Sequence, residues 1–315
     1  MKSLVTLIAS AALFAALEAL AFPGGPVRFV VPQPPGGMPD SLTRVIANGL
    51  AASGWSTVVE NRPGGAGIIA AVLVAKAPPD GQTLFIADYG ALAINPALYT
   101  KLPYDPVKHF APVTLAASGA LFLATALPVQ SLKEFIGYAK EHPGLAFGSA
   151  GNGTLHHLGM ELFRQLSGIE VTHVPYKGAA QVVPALLAGD IAVSLVALPS
   201  ALAHVKSRKL RLLAVSEAKR PSFMPDVPTI AEAGLPGYEI ASGMGIVAPA
   251  GTPSEIIAML NREIVKVLRT PEVGQQLVGM GIEPIGNTPE QYADIIRACI
   301  EKYGKLVRSS GARVE

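Results

Sequence analysis

One cysteine, Cys299, in 315 residues excludes any internal disulfide, so a packed core alone must hold the chain. Charge is sparse: 15% of residues are ionic and the formal net charge is +2. No run of Lys and Arg, and no interleaving of Arg with aromatics, offers a nucleic-acid surface. Half the residues are hydrophobic, yet beyond the first twenty or so no apolar run approaches the ~20 residues needed to cross a bilayer, so the mature chain is expected to be soluble. Internal repeats and low-complexity segments are absent. The nucleophile-elbow pattern Gly-x-Ser-x-Gly fails at Gly148-Ser149-Ala150-Gly151, because residue 147 is Phe147. His156 and His157 are adjacent, about 100° apart on a helix, with no cysteine nearby. Neither a metal site nor a cofactor is expected from them.

What is present begins at the N-terminus. Lys2 supplies a short positive region, Leu4 to Leu17 an apolar stretch, and Ala19-Leu20-Ala21 a small-x-small cleavage site. This order reads as a secretory signal over residues 1–21, cleaved after Ala21, and implies an exported protein. No cysteine follows the apolar stretch, so no lipid anchor is expected. The remaining length suits two medium lobes. Short apolar or β-branched runs alternate with segments of helical period, the pattern of parallel α/β units. Strands are expected at Val27–Val31, Val58-Val59, Thr83–Ala87, Ala146-Phe147, Val171–Val174, Ile191–Val196 and Leu210–Val215. Reciprocal helix caps are expected at Ser131/Glu134, Thr252/Glu255 and Thr288/Gln291, with Pro253 and Pro289 at the first helical position. Cys299 shares a stripe with Tyr292, Ile295, Ile296, Tyr303 and Leu306, which assigns it to packing and not to nucleophilic chemistry.

Two loops carry the chemistry. Pro35-Gly36-Gly37-Met38-Pro39-Asp40 follows the strand Val27–Val31 and opens a helix. Ser149-Ala150-Gly151-Asn152-Gly153-Thr154 does the same before a helix at Leu155–Leu166. Glycine lets main chain approach a ligand closely, and exposed N–H groups at a helix N-terminus favour an anion. Ser149, Asn152 and Thr154 add side-chain donors. Each loop alone reads equally as an ordinary turn; two of them, one in each half of the chain, favour capture of a small acid. Tyr176-Lys177-Gly178 forms a third loop, whose lysine either faces a bound acid or is simply solvated. A competing reading rests on Gly65-Ala66-Gly67-Ile68-Ile69-Ala70, which fits G-x-G-x-x-A with Asp88 some twenty residues on, as in an NAD-dependent oxidoreductase. Asn61-Arg62-Pro63 separates those glycines from their strand, whereas the fingerprint wants them in the first tight turn.

From Val27 to Gly311 the chain also resembles the Bug-type receptors of the tripartite tricarboxylate transporter family. The resemblance is carried by Val30-Val31-Pro32 through Gly36-Gly37 to Asp40, Glu60-Asn61-Arg62-Pro63-Gly64, Pro79-Asp80-Gly81-Gln82-Thr83-Leu84 and Leu102-Pro103-Tyr104-Asp105-Pro106. It continues through Ser149 to Thr154, His157-Leu158, His173-Val174-Pro175-Tyr176-Lys177-Gly178, Lys209-Leu210-Arg211, Asp226-Val227-Pro228-Thr229 and Ala248-Pro249-Ala250-Gly251-Thr252-Pro253. It implies an α/β type II periplasmic-binding-protein fold, two lobes joined by a hinge of crossing strands. The lobes would comprise 22–123 with 239–315, and 124–238. It also implies a periplasmic monomer that takes a small carboxylate into the interlobe cleft for a membrane permease, without catalysis; a sensor subunit for a signalling partner is the alternative on the same fold. The binding residues implied are Pro35, Gly36, Gly37, Met38 and Asp40 on one side. On the other are Ser149 to Thr154, His157, Tyr176 and Lys177, with Asp88 and Tyr89 as a further wall. Val196-Ala197 stands where many relatives have Asp-Asn, Gly243-Met244 where an aromatic is usual, and His109 where an acid is usual. These departures imply a less polar, bulkier or aromatic carboxylate, and argue against an amino acid.

Overall fold

The computed structural model describes residues 24–312; the expected signal segment, 1–21, lies outside them. One sheet of six strands has the order β11-β4-β10-β3-β1-β2, from β1 (Val27–Val31), β2 (Thr57–Asn61), β3 (Thr83–Asp88), β4 (Phe110–Gly119), β10 (Gly243–Pro249) and β11 (Ile282–Pro284). A second sheet of five has the order β7-β6-β8-β5-β9, from β5 (Leu121–Thr125), β6 (Leu145–Ser149), β7 (Val171–Pro175), β8 (Val193–Ala197) and β9 (Arg211–Val215). Parallel pairs β1/β2, β1/β3, β6/β7 and β6/β8 need helical crossovers, and those helices cover both sheet faces. That is why Val27, Phe29, Val30 and Val31 are all inaccessible in a run without alternation.

The crossovers that matter are α1 (Met38–Ala52) after β1 and α5 (Leu155–Ser167) after β6; a π-helical turn (Gly90–Ile94) and a short helix α3 (Asn95–Leu98) follow β3. Each begins at the carboxyl end of its strand, where open α/β sheets bind ligands. The chain passes between sheets twice. Only Ala120 separates β4 from β5, and the return runs through Ile240 to Ser242 into β10. The two passages are tied side by side: Gly119 N–H donates to Ser242 O at 2.9 Å, Ser216 N–H to Leu121 O at 2.8 Å and Ile240 N–H to Ser216 O at 2.7 Å. The last helix, α10 (Pro289–Ser310), straps the pair, with Tyr303 Oη donating to Ala241 O at 2.9 Å. It also reaches α5, where Gln165 Nε2 donates to Ser309 Oγ at 3.3 Å.

Three expectations change. The boundary placed at 123 falls inside β5, which pairs wholly with the second sheet. The expected cap at Thr252 does not form: Thr252 Oγ1 donates back to Pro249 O at 2.8 Å, and Pro253 is the cap of helix α8 (Ser254–Leu268) instead of its first helical residue. Strands β4, β5, β10 and β11 were not expected. Two glycines of β10 explain part of that, since a Cβ on Gly243 would lie 2.3 Å from the Tyr89 ring and one on Gly245 2.0 Å from Tyr292 Oη. The strand is stripped of side chains because buried aromatics occupy their places, and a stripped strand has no legible alternation.

Candidate functional site

The first loop is organised by a carboxylate. Asp40 is 3% exposed, and its Oδ2 accepts the Gly36 N–H at 2.9 Å and Arg44 Nε at 3.0 Å, while Oδ1 accepts Asn61 Nδ2 at 2.9 Å. Asn61 Nδ2 also donates to Gln33 O at 3.0 Å, which ties the loop to β2. Burial alone would raise the Asp40 pKa, but the donors Arg44, Gly36 and Asn61 outweigh it and hold the carboxyl below its ordinary value. Gly36 turns the chain at φ +89°. Pro35 stands exposed at the tip and has no N–H to offer. Asp40 and Gly36 are therefore spent on each other, not held out for a ligand. Among the described residues no acceptor meets the N–H groups of the first turn of α1, at Gly37, Met38 and Asp40, since Gly37 is an N-cap without a side-chain bond and Pro39 has no donor.

The second loop repeats this economy. Ser149 is fully buried, its Oγ accepts the Gly151 N–H at 3.1 Å, and it lies 2.7 Å from His173 Nε2. Gly153 N–H donates to His157 Nδ1 at 3.1 Å, and Thr154 Oγ1 donates to Gly151 O at 2.8 Å while capping α5. His157 stacks on His173 with centroids 3.9 Å apart, and His173 stacks on Phe147 at 4.8 Å. Gly153 N–H is a donor only, so His157 must be neutral with Nδ1 unprotonated. Burial lowers the pKa of both rings, His173 to about 4 with the neighbouring His157 adding to the effect. The glycines, Ser149, Thr154 and His157 thus shape the loop. Among the described residues no acceptor meets the N–H groups of Ala150, Asn152, Leu155 or His156, and the exposed Asn152 amide is also unbound. Sequence reading favoured the glycines as donors; in the structure the N–H groups of Gly151 and Gly153 are paired, and those between and after them are not.

The second loop reaches the first lobe at the short helix after β3. A Cβ on Gly153 would lie 2.4 Å from Leu98 Cδ2 of α3, so the second loop touches the first lobe. Near the crossing strands the first lobe supplies apolar surface. The Met38 thioether fills the space above Gly119, with Met38 Cε 2.6 Å and Met244 Cε 3.8 Å from where a Cβ would be.

Other expected residues separate. Asp88, partly exposed at the end of β3, accepts the Ala91 N–H at 2.9 Å and faces Gln33 Nε2 at 3.4 Å. Burial nevertheless raises its pKa above the carboxylate norm. Tyr89 is not a wall of the cleft: it is 5% exposed, lies under Gly243 and packs on Tyr303 at 6.0 Å. Tyr176 leans on Gly148, and its N–H donates to Ser149 O at 3.0 Å. The Lys177 side chain is exposed, and among the described residues no acid pairs with it. Val196 is 3% exposed in a core cluster with Val182, Val183 and Ala201, so only Ala197 nears the cleft. His109 immediately precedes β4, where its Nδ1 accepts the Asp105 N–H, ten residues and roughly 30 Å of strand from Gly119. It therefore says nothing about the guest. The glycines 64–67 pack instead of cradling phosphate: a Cβ on Gly67 would meet Pro32 Cβ at 3.3 Å, and Asn95 Nδ2 holds Ala66 O at 3.0 Å. Gln33, Asn61 and His173 went unassigned in the sequence, although all three lie in the stretches that carry the family resemblance.

Because the folded-state pKa of Asp88 is raised, its contribution favours folding below the ordinary carboxylate pKa and is lost as pH rises through the elevated value. Asp88→Asn should therefore gain melting temperature over the parent between pH 4 and pH 8. A gap that is constant or reversed across that range would refute the assignment.

Residues 42–312 match the family described as tripartite tricarboxylate transporter family receptor. Protein BugT of Bordetella pertussis is 35% identical over 313 residues, covering 98% of this chain and 96% of BugT. A Pseudomonas sp. P51 protein from the tcbD-tcbE intergenic region is 38% identical over 292 residues, covering 91% of this chain and 87% of that protein. Among solved structures, R. palustris Rpa4515 with adipate is similar at TM-score 0.83 and 38% identity, covering 93% of this chain and all of that one. MatC of Rhodopseudomonas palustris with bound malate is similar at TM-score 0.76 and 31% identity, covering 91% of this chain and all of MatC.

Proposed function

This chain belongs to the tripartite tricarboxylate transporter receptor family and has its two-lobed periplasmic-binding fold, and from that premise we propose that it captures a small organic carboxylate between its lobes and delivers it to a membrane permease. One observation carries the reading: two loops on opposite sheets each end at a helix N-terminus whose main-chain N–H groups, at Gly37, Met38 and Asp40 and at Ala150, Asn152 and Leu155, are without partners among the described residues. Donors of this kind favour an anion, and those bonds strengthen when the site closes and sheds water. The half-buried Met38 and Ala197, with Met244 buried behind Met38, suit an apolar body in the guest. Binding without turnover follows from the spent state of Ser149, which is buried and locked to His173 and Gly151. The guest bridges the lobes, and its contacts shift the hinge at Gly119–Leu121 and Ile240–Gly243 toward the shut form.

Ligand-bound relatives name adipate and malate, so those two head the test, with benzoate and terephthalate probing an aromatic body. A carboxylate at 100 times its dissociation constant should stabilise by about 2.7 kcal/mol, a rise in melting temperature of roughly 5 °C or more. A shift with NAD and with none of the acids would refute the proposal.

A further inference from the structure

The edge strand β11 lays Glu283 directly opposite Ser118 of β4, and side chains opposite each other in an antiparallel pair share one face. Residues of the second lobe meet that face. Glu217, just past the end of β9, accepts Ser118 Oγ at 2.6 Å. Further along the same segment Ser222 donates its hydroxyl to Glu283 Oε2 at 2.8 Å and its N–H to the same oxygen at 3.3 Å. Phe223 packs on Phe122 of β5, with centroids 6.4 Å apart, which ties Ser222 to the second lobe. Next to β11, a Cβ on Gly281 would lie 3.5 Å from Pro199 Cδ and 3.6 Å from Leu198 Cβ, at the start of helix α7 (Leu198–Lys206). An acid of each lobe thus takes a hydroxyl of the other, one bond in each direction.

The same acids oppose each other. Burial, then the charges of Glu283 and Glu239, push the Glu217 pKa above the carboxylate norm against the Ser118 and Ser242 donors. Among the described residues no cation pairs with Glu217 or Glu283. Lys302 Nζ of α10 lies 3.3 Å from Glu239, Arg220 pairs with Glu232, and Lys219 is exposed. Tyr89, at the end of β3, also faces Glu217, and burial keeps its hydroxyl protonated.

Resting on the carboxylate-receptor reading above, we propose that Ser118, Glu217, Ser222 and Glu283 form a reciprocal clasp that holds the two lobes over the guest, and that the charge of Glu217 weakens it. Opening the hinge parts these groups and relieves the repulsion; shutting it remakes the bonds and restores the repulsion. Removing the charge while keeping the acceptor oxygen therefore favours the shut form. Because the Glu217 pKa is raised where the clasp is made, the cost of its charge is present above that elevated value and disappears as pH falls through it.

Calorimetric titration with adipate, malate, benzoate and terephthalate compares the parent with Ser118→Ala, Ser222→Ala and Glu217→Gln. At pH 8 each serine variant should bind the best of these acids about three- to tenfold more weakly, the scale of one net hydrogen bond. Glu217→Gln should bind it about threefold more tightly, the scale of one partly exposed charge pair. That lead should shrink toward pH 5, where the parent carboxyl gains its proton; the guest's own titration cancels in the ratio. Unchanged affinity in either serine variant, or a Glu217→Gln lead that is absent or the same at both pH values, overturns the clasp and leaves the receptor reading standing. If none of the four acids binds the parent, the receptor reading fails, and X-ray scattering of the unliganded proteins decides the clasp alone. The double variant Ser118→Ala with Ser222→Ala should then show a larger radius of gyration than the parent, and identical curves overturn the clasp.

Discussion

Gly153→Val is expected to abolish carboxylate-induced stabilisation and to lower the stability of the empty protein by about 2 to 4 kcal/mol, as backbone strain and overpacking add. Gly153 has φ +73°, a conformation in which a β-branched residue is strained. Its added carbon would meet Leu98 Cδ2 at 2.4 Å and Leu98 Cδ1 at 2.8 Å, on a leucine only 6% exposed. The same residue donates its N–H to His157 Nδ1. Strain, interlobe clash and loss of the imidazole anchor all act on the loop that carries the Ala150 and Asn152 donors. Gly189→Val separates these effects: Gly189 has φ +82° at the end of helix α6 (Val182–Ala188), with open space around its Cβ position. That variant should show strain alone, with ligand-induced shifts in melting temperature preserved. Binding retained in Gly153→Val would remove the second loop from the site.

Asp40→Ala should have a comparable effect from the other lobe. It removes the acceptor of Gly36 N–H, Arg44 Nε and Asn61 Nδ2 at once. Orphaning partly buried donors costs about 1 to 3 kcal/mol each before relaxation, tempered here because Arg44 is half exposed. A loss of about 3 kcal/mol is expected, together with loss of binding, since Asp40 is the acceptor that fixes the turn at Gly36 leading into Gly37 and Met38. The pH dependence has a definite sign. The folded-state pKa of Asp40 is depressed, so its contribution is present above the unfolded carboxylate pKa and disappears as pH falls through the folded value. Chemical denaturation from pH 7 to pH 2 should therefore show the parent losing its advantage over Asp40→Ala on the acid limb. Parallel curves would show that Asp40 does not organise the loop.

Legibility in the sequence followed burial and local chemistry. Strands β1, β3, β6 and β7 stood out because their apolar runs are bounded by glycine and proline turns, and the Thr288 capping box formed as its spacing implied. Strands β4 and β10 did not stand out. They run through the middle of the sheet, rich in Ala, Gly and Pro where Met38, Tyr89 and Tyr292 crowd in from other elements. Such crowding is decided by tertiary contacts that local pattern does not encode. The positions of both loops were readable from their glycines, but their donors were not. Which N–H groups remain free depends on Asp40 pairing with Gly36 and on His157 pairing with Gly153, each four residues apart yet invisible until the loop closes on itself.

A crystal structure with the tightest-binding carboxylate of the panel would show whether both loops hold one guest. One acid group should lie within about 3 Å of main-chain nitrogens from both Gly37-Met38 and Ala150-Asn152, with the lobes shut over it. A guest seated outside the gap between the two sheets, or touching only one of the loops, would contradict it.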